Sequence, residues 1–265
     1  SLVSCGDKVL VPRFGRFGHL LTEIAQRVGG DVVTLDTEWG TVFETDSICD
    51  AIREHRPRVV ALVHGDTSTT MAQPLEGISA ACREVDALLY VDTTATLCGM
   101  PIPVDDLQLD AVSTGLQKCM SGPPGTSPIT INERAAAVVN NRKHIEGGIR
   151  PDDYVAGDGP KIISNYLDLG MLMDYWSPKR LNHHTESTSM LYAARECARV
   201  ILEEGLEAGF ARHELASRAL RSGLKAMGLE LFGDQTNSMT NVTGILIPKV
   251  CGDGEGVRSQ MLRDF

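Results

Sequence analysis

Lys118 stands in the segment Ser113-Thr114-Gly115-Leu116-Gln117-Lys118-Cys119-Met120-Ser121-Gly122-Pro123-Pro124-Gly125. A strand-like apolar run, Leu109 to Val112, precedes it and a Gly/Pro-rich loop follows. A lysine on such a turn, beside buried structure, is placed to act as a reactive amine rather than as a solvated charge. Upstream, Leu88-Leu89-Tyr90-Val91-Asp92 is an apolar run that ends in a carboxylate. A lysine paired with a strand-end aspartate suits the chemistry that pyridoxal phosphate requires. The amine forms a Schiff base, and the carboxylate keeps a pyridine nitrogen protonated.

Other residues could serve the same chemistry, each with a plainer alternative. A carboxylate ending a buried strand must be paired or hydrogen-bonded, so Asp92 on its own could equally be a helix cap or half of an ion pair. Gln117 and Lys118 are adjacent in a loop, where their side chains can diverge, one toward a cofactor's carbonyl and the other toward its phosphate. Thr67, Ser68, Thr69 and Thr70 offer hydroxyls and backbone N–H groups to an anion or a phenolic oxygen. Asp66 before them could be only a turn-former. His183 and His184 are adjacent, share no helical or strand face, and have no carboxylate or cysteine at metal-ligand spacing, so loop hydrogen bonding is the expectation and a metal is not. Thr185 reads as the N-cap of the following helix and could also donate to a phosphate. Phe14 and Phe17 follow a strand; either packs in the core or serves as an aromatic plate against a flat ring. Cys119, next to Lys118, reads as a small core residue rather than a nucleophile.

These residues need a scaffold, and short β-rich runs alternate with helix-period segments to supply one. Strands are expected over 8–12, 31–35, 59–63, 88–92, 111–113 and 127–131. Helices are expected over 19–28 and 46–54, from Pro74 to about Glu84, and over 134–144. The alternation predicts an α/β fold, a mostly parallel sheet flanked by helices on both faces. Ligands of such sheets lie beyond the carboxyl ends of the strands, where Asp66–Thr70, Asp92–Thr94 and Gln117–Lys118 all fall. Residues 147–160 read as an exposed loop. Helices over 165–176, 187–204 and 205–227 follow, then strands over 229–232 and 243–248. The predicted organisation is a large domain over residues 1–204 and the beginning of a smaller C-terminal domain over 205–265.

Composition narrows the function classes. The chain of 265 residues is 42% hydrophobic and 23% charged, as a globular protein is. No apolar stretch reaches the roughly 20 residues of a membrane span, and Ser1 to Asp7 has no signal-peptide pattern. A net charge of −10 argues against nucleic acid as a partner. Seven widely spaced cysteines without Cys-x-x-Cys fit reduced thiols in the cytoplasm better than disulfides or zinc. Both ends read as cut: there is no initiator methionine, and Met261 to Phe265 stop inside a helix-like pattern.

Taken together, His64-Gly65-Asp66-Thr67-Ser68-Thr69-Thr70, Asp92-Thr93-Thr94-Ala95, Gln117-Lys118 with Gly122-Pro123-Pro124-Gly125, and His183-His184-Thr185 resemble the class V pyridoxal-phosphate aminotransferases of fold type I. That family includes alanine–glyoxylate and serine–pyruvate aminotransferases. The resemblance runs along essentially the whole chain. It implies Lys118 as the Schiff-base lysine and proton shuttle, Asp92 as the pyridinium partner, Thr67 as a hydrogen-bonding cofactor contact and Thr94 as a side chain packed on the ring. It implies Gln117 at the phosphate and Phe17 as the stacking aromatic. Asn182 and Thr185 would reach the neighbouring subunit's site, Thr185 toward the phosphate, which implies a homodimer. Family members commonly carry Tyr at the position of Asn182, Glu at Asp66 and Gly at Thr70. With Asn182 the motifs are most similar to the branch that takes (S)-ureidoglycine as amino donor and glyoxylate as acceptor in purine (allantoin) catabolism. Alanine or serine is the alternative donor, and a catalytically inactive fragment is the remote one. A cysteine desulfurase would need a mobile cysteine after the Lys118 segment. The resemblance also implies a phosphate-gripping loop before Ser1 and a substrate-carboxylate arginine beyond Phe265.

Overall fold

Six of the strands form one sheet in the order β2-β1-β3-β6-β7-β8 in the computed structural model, which describes residues 1–264. Phe265, the last residue of the expected second domain, lies outside the described residues. The strands are β1 (Lys8–Arg13), β2 (Asp31–Asp36), β3 (Val59–Val63), β6 (Leu88–Asp92), β7 (Ala111–Ser113) and β8 (Ile129–Ile131). All pairings are parallel except β7 with β8, which is antiparallel. Parallel neighbours require crossovers. The helices α1 (Arg16–Arg27), α2 (Thr45–His55) and α3 (Ile78–Glu84) lie in those connections. β3 is buried at every residue, as a central strand covered on both faces must be. The core on one face gathers Leu10, Ile48, Ile52, Leu62, Ile78 and Leu89, all fully buried. The expected mostly parallel sheet flanked by helices is the fold found.

Four local expectations are corrected. Pro74 does not open α3, which starts at Ile78 after Gly77 in the left-handed region (φ 83°). The carbonyl of Pro74 instead accepts from the buried Gln73 side chain, which also bonds both backbone groups of Phe43. Thr185 does not cap the next helix, because α6 (Thr188–Glu204) begins after Ser187. The helix expected from Asn165 is shorter, α5 spanning Leu169–Trp176 with Asp168 as its N-cap, which accepts from the Met171 N–H at 3.1 Å. The strands expected over 229–232 and 243–248 reduce to one antiparallel bridge, Leu231 with Ile245. The chain between them is drawn away by other bonds. Asp234 N–H donates to Gly40, Met239 N–H to Thr70, and the Asn237 carbonyl accepts from Ala72. Met239 ends up fully buried against Ala72 and Ala95.

Two short strands form a hairpin that was not expected, β4 (Gly65–Asp66) with β5 (Met71–Ala72). The remaining helices are α4 (Glu133–Asn141), capped by Asn132, then α7 (Leu206–Ala226) and α8 (Gly254–Asp264). No described helix is long and apolar enough to cross a membrane.

Candidate active site

The loop that carries Lys118 is closed by its own backbone. Leu116 is fully buried and anchors it in the core. The Gly122 N–H returns to the Leu116 carbonyl at 2.8 Å, and the Ser121 N–H to that of Lys118 at 2.8 Å. Lys118 thus stands at the tip of a tight loop following β7. It is exposed, against the expectation of a sheltered amine, since only its neighbour Leu116 enters the core. Among the described residues it forms no ion pair.

Lys118 opens on a cleft of about 310 Å3 that Thr67 and Ala95 also line. Thr67 arrives on the β4–β5 turn, and Ala95 follows the end of β6. Asp92 is the last residue of β6 and is half-buried. Its Oδ1 accepts the Thr94 N–H at 2.8 Å, and among the described residues it has no cationic partner. This local turn is one of the plain alternatives for Asp92, yet it satisfies only one of the carboxylate's two oxygens. The nearby negative charge and burial both act on Tyr90: burial first, then Asp92, push its phenol up to about 12.

Phe17 lies in the first turn of α1, half-buried, and packs beside the buried Phe14, which is core as its plainer reading had it. Its N–H donates to Asp66 Oδ2 at 2.8 Å, which links it to the turn bearing Thr67. Gln117 is exposed beside Lys118. Asn182 and Thr185 are not brought to this cleft. Both are exposed in the segment before α6, where His183 Nδ1 lies 2.7 Å from His184 Nδ1 and His184 pairs with Glu186 at 3.0 Å. The loop hydrogen bonding expected of the two histidines is what they make. Among the described residues no three His, Cys, Asp or Glu side chains gather as a metal ion needs.

The opposite wall of the cleft holds residues that the sequence did not single out: Arg212 and His213 on α7, and Asn241 beyond it. Arg212 is held by Glu204, its Nε 2.5 Å from Oε1. Burial, and then Arg212, hold His213 below its usual range. Asn241 Nδ2 donates to the Ala95 carbonyl at 2.6 Å and to Cys119 Sγ at 2.9 Å. No local signal marks these residues, because α7 reads as an ordinary amphipathic helix. Burial pushes the Cys119 thiol up, more than Asn241 and Lys118 pull it down, which disfavours the thiolate a nucleophile needs. A separate hollow of about 410 Å3 lies against α1 and β8. Apolar side chains dominate its lining, with Tyr90 and three serines among them and no carboxylate, lysine, arginine or histidine side chain, so it offers no comparable chemistry.

The family profile described as aminotransferase class V matches residues 2–251. The chain is 51% identical over 267 aligned residues to the (S)-ureidoglycine–glyoxylate transaminase of Bacillus subtilis (strain 168), covering 100% of this chain and 64% of that protein. It superposes on the crystal structure of the ureidoglycine–glyoxylate aminotransferase from Bacillus subtilis with a TM-score of 0.89 and 49% identity, over 99% of this chain and 63% of that one. It superposes on the alanine–glyoxylate aminotransferase of Nostoc sp. with a TM-score of 0.90 and 35% identity, over 99% and 65%. The chain therefore spans a little under two thirds of the length of these Bacillus subtilis relatives.

Proposed function

The chain belongs to the class-V aminotransferases, a family generally dependent on pyridoxal phosphate and of fold type I, and on that premise we propose that it transfers the amino group of (S)-ureidoglycine to glyoxylate, giving glycine. The observation that carries this reading is the meeting of Lys118 and Thr67 at one cleft, with Asp92 ending the strand that feeds it. The donor set fits pyridoxal 5'-phosphate. Among the described residues Lys118 has no ion pair that would occupy its amine, and the Asp92 carboxylate has accepting capacity left over.

When bound, that cofactor supplies the electron sink that lets an amino acid lose its α-proton. Lys118 Nζ would hold it and would be the base that takes the proton from the donor's α-carbon. Asp92 would hold the ring nitrogen in its protonated form by charge. Thr67 would hydrogen-bond the cofactor, Thr94 and Phe17 would hold its ring, and Gln117 would meet its phosphate. The exchange is ping-pong: the donor leaves as a keto product before the 2-oxo acid enters.

The donor preference rests on Asn182. A ureido group has one carbonyl and several N–H donors, and an amide side chain can pair with both. Asn182 lies away from the cleft of its own chain, which suits a homodimer in which Asn182 and Thr185 complete the site of the partner subunit. The 51% identity to a ureidoglycine–glyoxylate transaminase supports the donor over alanine or serine. We further propose a division into a cofactor-binding domain over 1–204 and the start of a C-terminal domain over 205–265, and a cytoplasmic location in keeping with seven free cysteines.

The test is direct. Protein mixed with pyridoxal phosphate is expected to turn yellow, and borohydride is expected to abolish the band by fixing the cofactor to Lys118. Lys118→Ala should form no reducible adduct. Equal behaviour of the two proteins would refute the Schiff-base assignment.

A further inference from the structure

Asp66 is a fully buried carboxylate to which the reading above gives no role. Among the described residues no cation pairs with it. A buried charge is costly unless donors surround it, and three do. Oδ1 accepts the Ser68 N–H at 2.9 Å and the Ser68 hydroxyl at 2.6 Å. Oδ2 accepts the Phe17 N–H at 2.8 Å. Ser68 Oγ in turn accepts the Arg16 N–H at 2.9 Å. The first two amides of α1 are therefore satisfied by the β4–β5 turn.

A helix normally takes such bonds from its own N-cap side chain. Here the N-cap is Gly15, which has none and makes no cap bond. Nor is there room for a side chain: a Cβ on Gly15 would stand 2.5 Å from Asp66 Oδ2. The space a local cap would use is filled by Asp66 from another element. The negative charge lies where the positive end of the helix dipole favours it.

We propose that Asp66, assisted by Ser68, is a positioning residue that caps α1 from the adjacent turn and thereby fixes Phe17 relative to Thr67. Thr67 lies between the two capping residues, so one set of bonds holds both Phe17 and the threonine that lines the Lys118 cleft. The proposal rests on the reading that Phe17 and Thr67 meet the cofactor. A carboxylate is required because all three contacts are donors to it. Asparagine has the same shape but would turn an NH2 group toward one of them.

Asp66→Asn is therefore the deciding variant, with two readouts. In the protein without cofactor, amide hydrogen exchange at Arg16 and Phe17 is expected to accelerate about tenfold, while β3 amides hold their rates. With cofactor, the dissociation constant for pyridoxal phosphate should rise about tenfold and the visible circular dichroism of the bound ring should weaken. Borohydride should still fix the cofactor to Lys118. Gly15→Ala should reproduce both effects, and Ser68→Ala should give them in smaller measure. If Asp66→Asn does not fold, Ser68→Ala decides by the same two measurements. An unchanged Phe17 amide would overturn the capping. Faster exchange with unchanged cofactor affinity and dichroism would overturn the positioning role. Failure of the wild type to form any reducible adduct would refute the cofactor reading, and the positioning role with it, while the exchange data would still decide the cap.

Discussion

Asp92 and Asp110 flank adjacent parallel strands at opposite ends, and their surroundings differ sharply. Asp110, just before β7, is fully buried. It accepts the Leu89 N–H at 2.8 Å, Asn132 Nδ2 at 2.8 Å, and Arg134 Nη1 at 3.0 Å on each oxygen. These bonds tie β6, β7 and the start of α4 together at the amino end of the sheet. Asp92, at the carboxyl end of β6, is half-buried and has one local N–H. A carboxylate saturated by its own protein is structural. One left partly open, at the end of the strand that leads to the Lys118 cleft, has accepting capacity to spare for a ligand. The amino end of the sheet is thus tied by its own hydrogen bonds, and the carboxyl end carries the carboxylate left partly open.

Substitutions should separate the two ends. Asp110→Ala is expected to be the most damaging to stability, by about 3 kcal/mol, because it removes the acceptor that Arg134 Nη1, Asn132 Nδ2 and the Leu89 N–H share in a buried site. Chemical unfolding would measure it. A loss comparable to that of an exposed residue would end the claim that the amino end holds the sheet.

His64 tests whether burial at the carboxyl end is uniform. It follows β3, is buried, and has Nδ1 2.8 Å from Thr96 Oγ1. Burial holds its pKa down at about 4, against a smaller opposing pull from Glu76. The neutral form is therefore the native one. Stability should be intact above pH 6.5 and fall as pH drops from 6.5 toward 4, by about 3 kcal/mol from this group. His64→Gln should flatten that part of the stability profile, measured by urea unfolding at pH 7, 5.5 and 4. An unaltered profile would mean that His64 is not buried as described.

Asp92→Asn should do the reverse of Asp110→Ala. Stability is expected to stay within about 0.5 kcal/mol. Amino transfer should fall about 100-fold while the borohydride-reducible adduct still forms. A large stability loss with unimpaired transfer would make Asp92 a second Asp110. The smallest effect is expected at Asn182, which lies on neither end of the sheet. Asn182→Tyr should weaken the half-reaction with ureidoglycine by about tenfold and those with alanine and serine less. Equal loss with all three donors would remove Asn182 as the selecting residue.

Much of the sheet half is legible in the sequence. The runs 8–12, 31–35, 59–63 and 88–92 became strands because β-branched and aliphatic residues in short runs pack on a pleated surface in almost any context. Lys118, Thr67 and Asp92 could be singled out because each follows such a run, and parallel strands deliver their carboxyl ends to one side. Local rules failed where distant partners compete. Pro74 is a favourable helix opener, yet Gln73 binds its carbonyl and Phe43 across a long loop. Residues 229–248 had the composition of two strands, but the middle of the segment bonds to Gly40 and Thr70 instead.

The sequence by itself determined the element types of the sheet half and singled out Lys118 as the candidate amine, because both depend on residue chemistry and on neighbours in the chain. Tertiary structure alone decided which carboxylates are satisfied. Asp66, Asp92 and Asp110 look alike as strand-flanking aspartates. They differ in burial and in how many donors lie within about 3 Å: Ser68 and Thr94 are local, but the others come from α1, β6 and the start of α4, distant in sequence. Hydrogen-bond saturation is a property of distances in space, and the chain order does not record them. The wall of the Lys118 cleft built from Arg212, His213 and Asn241 was hidden for the same reason.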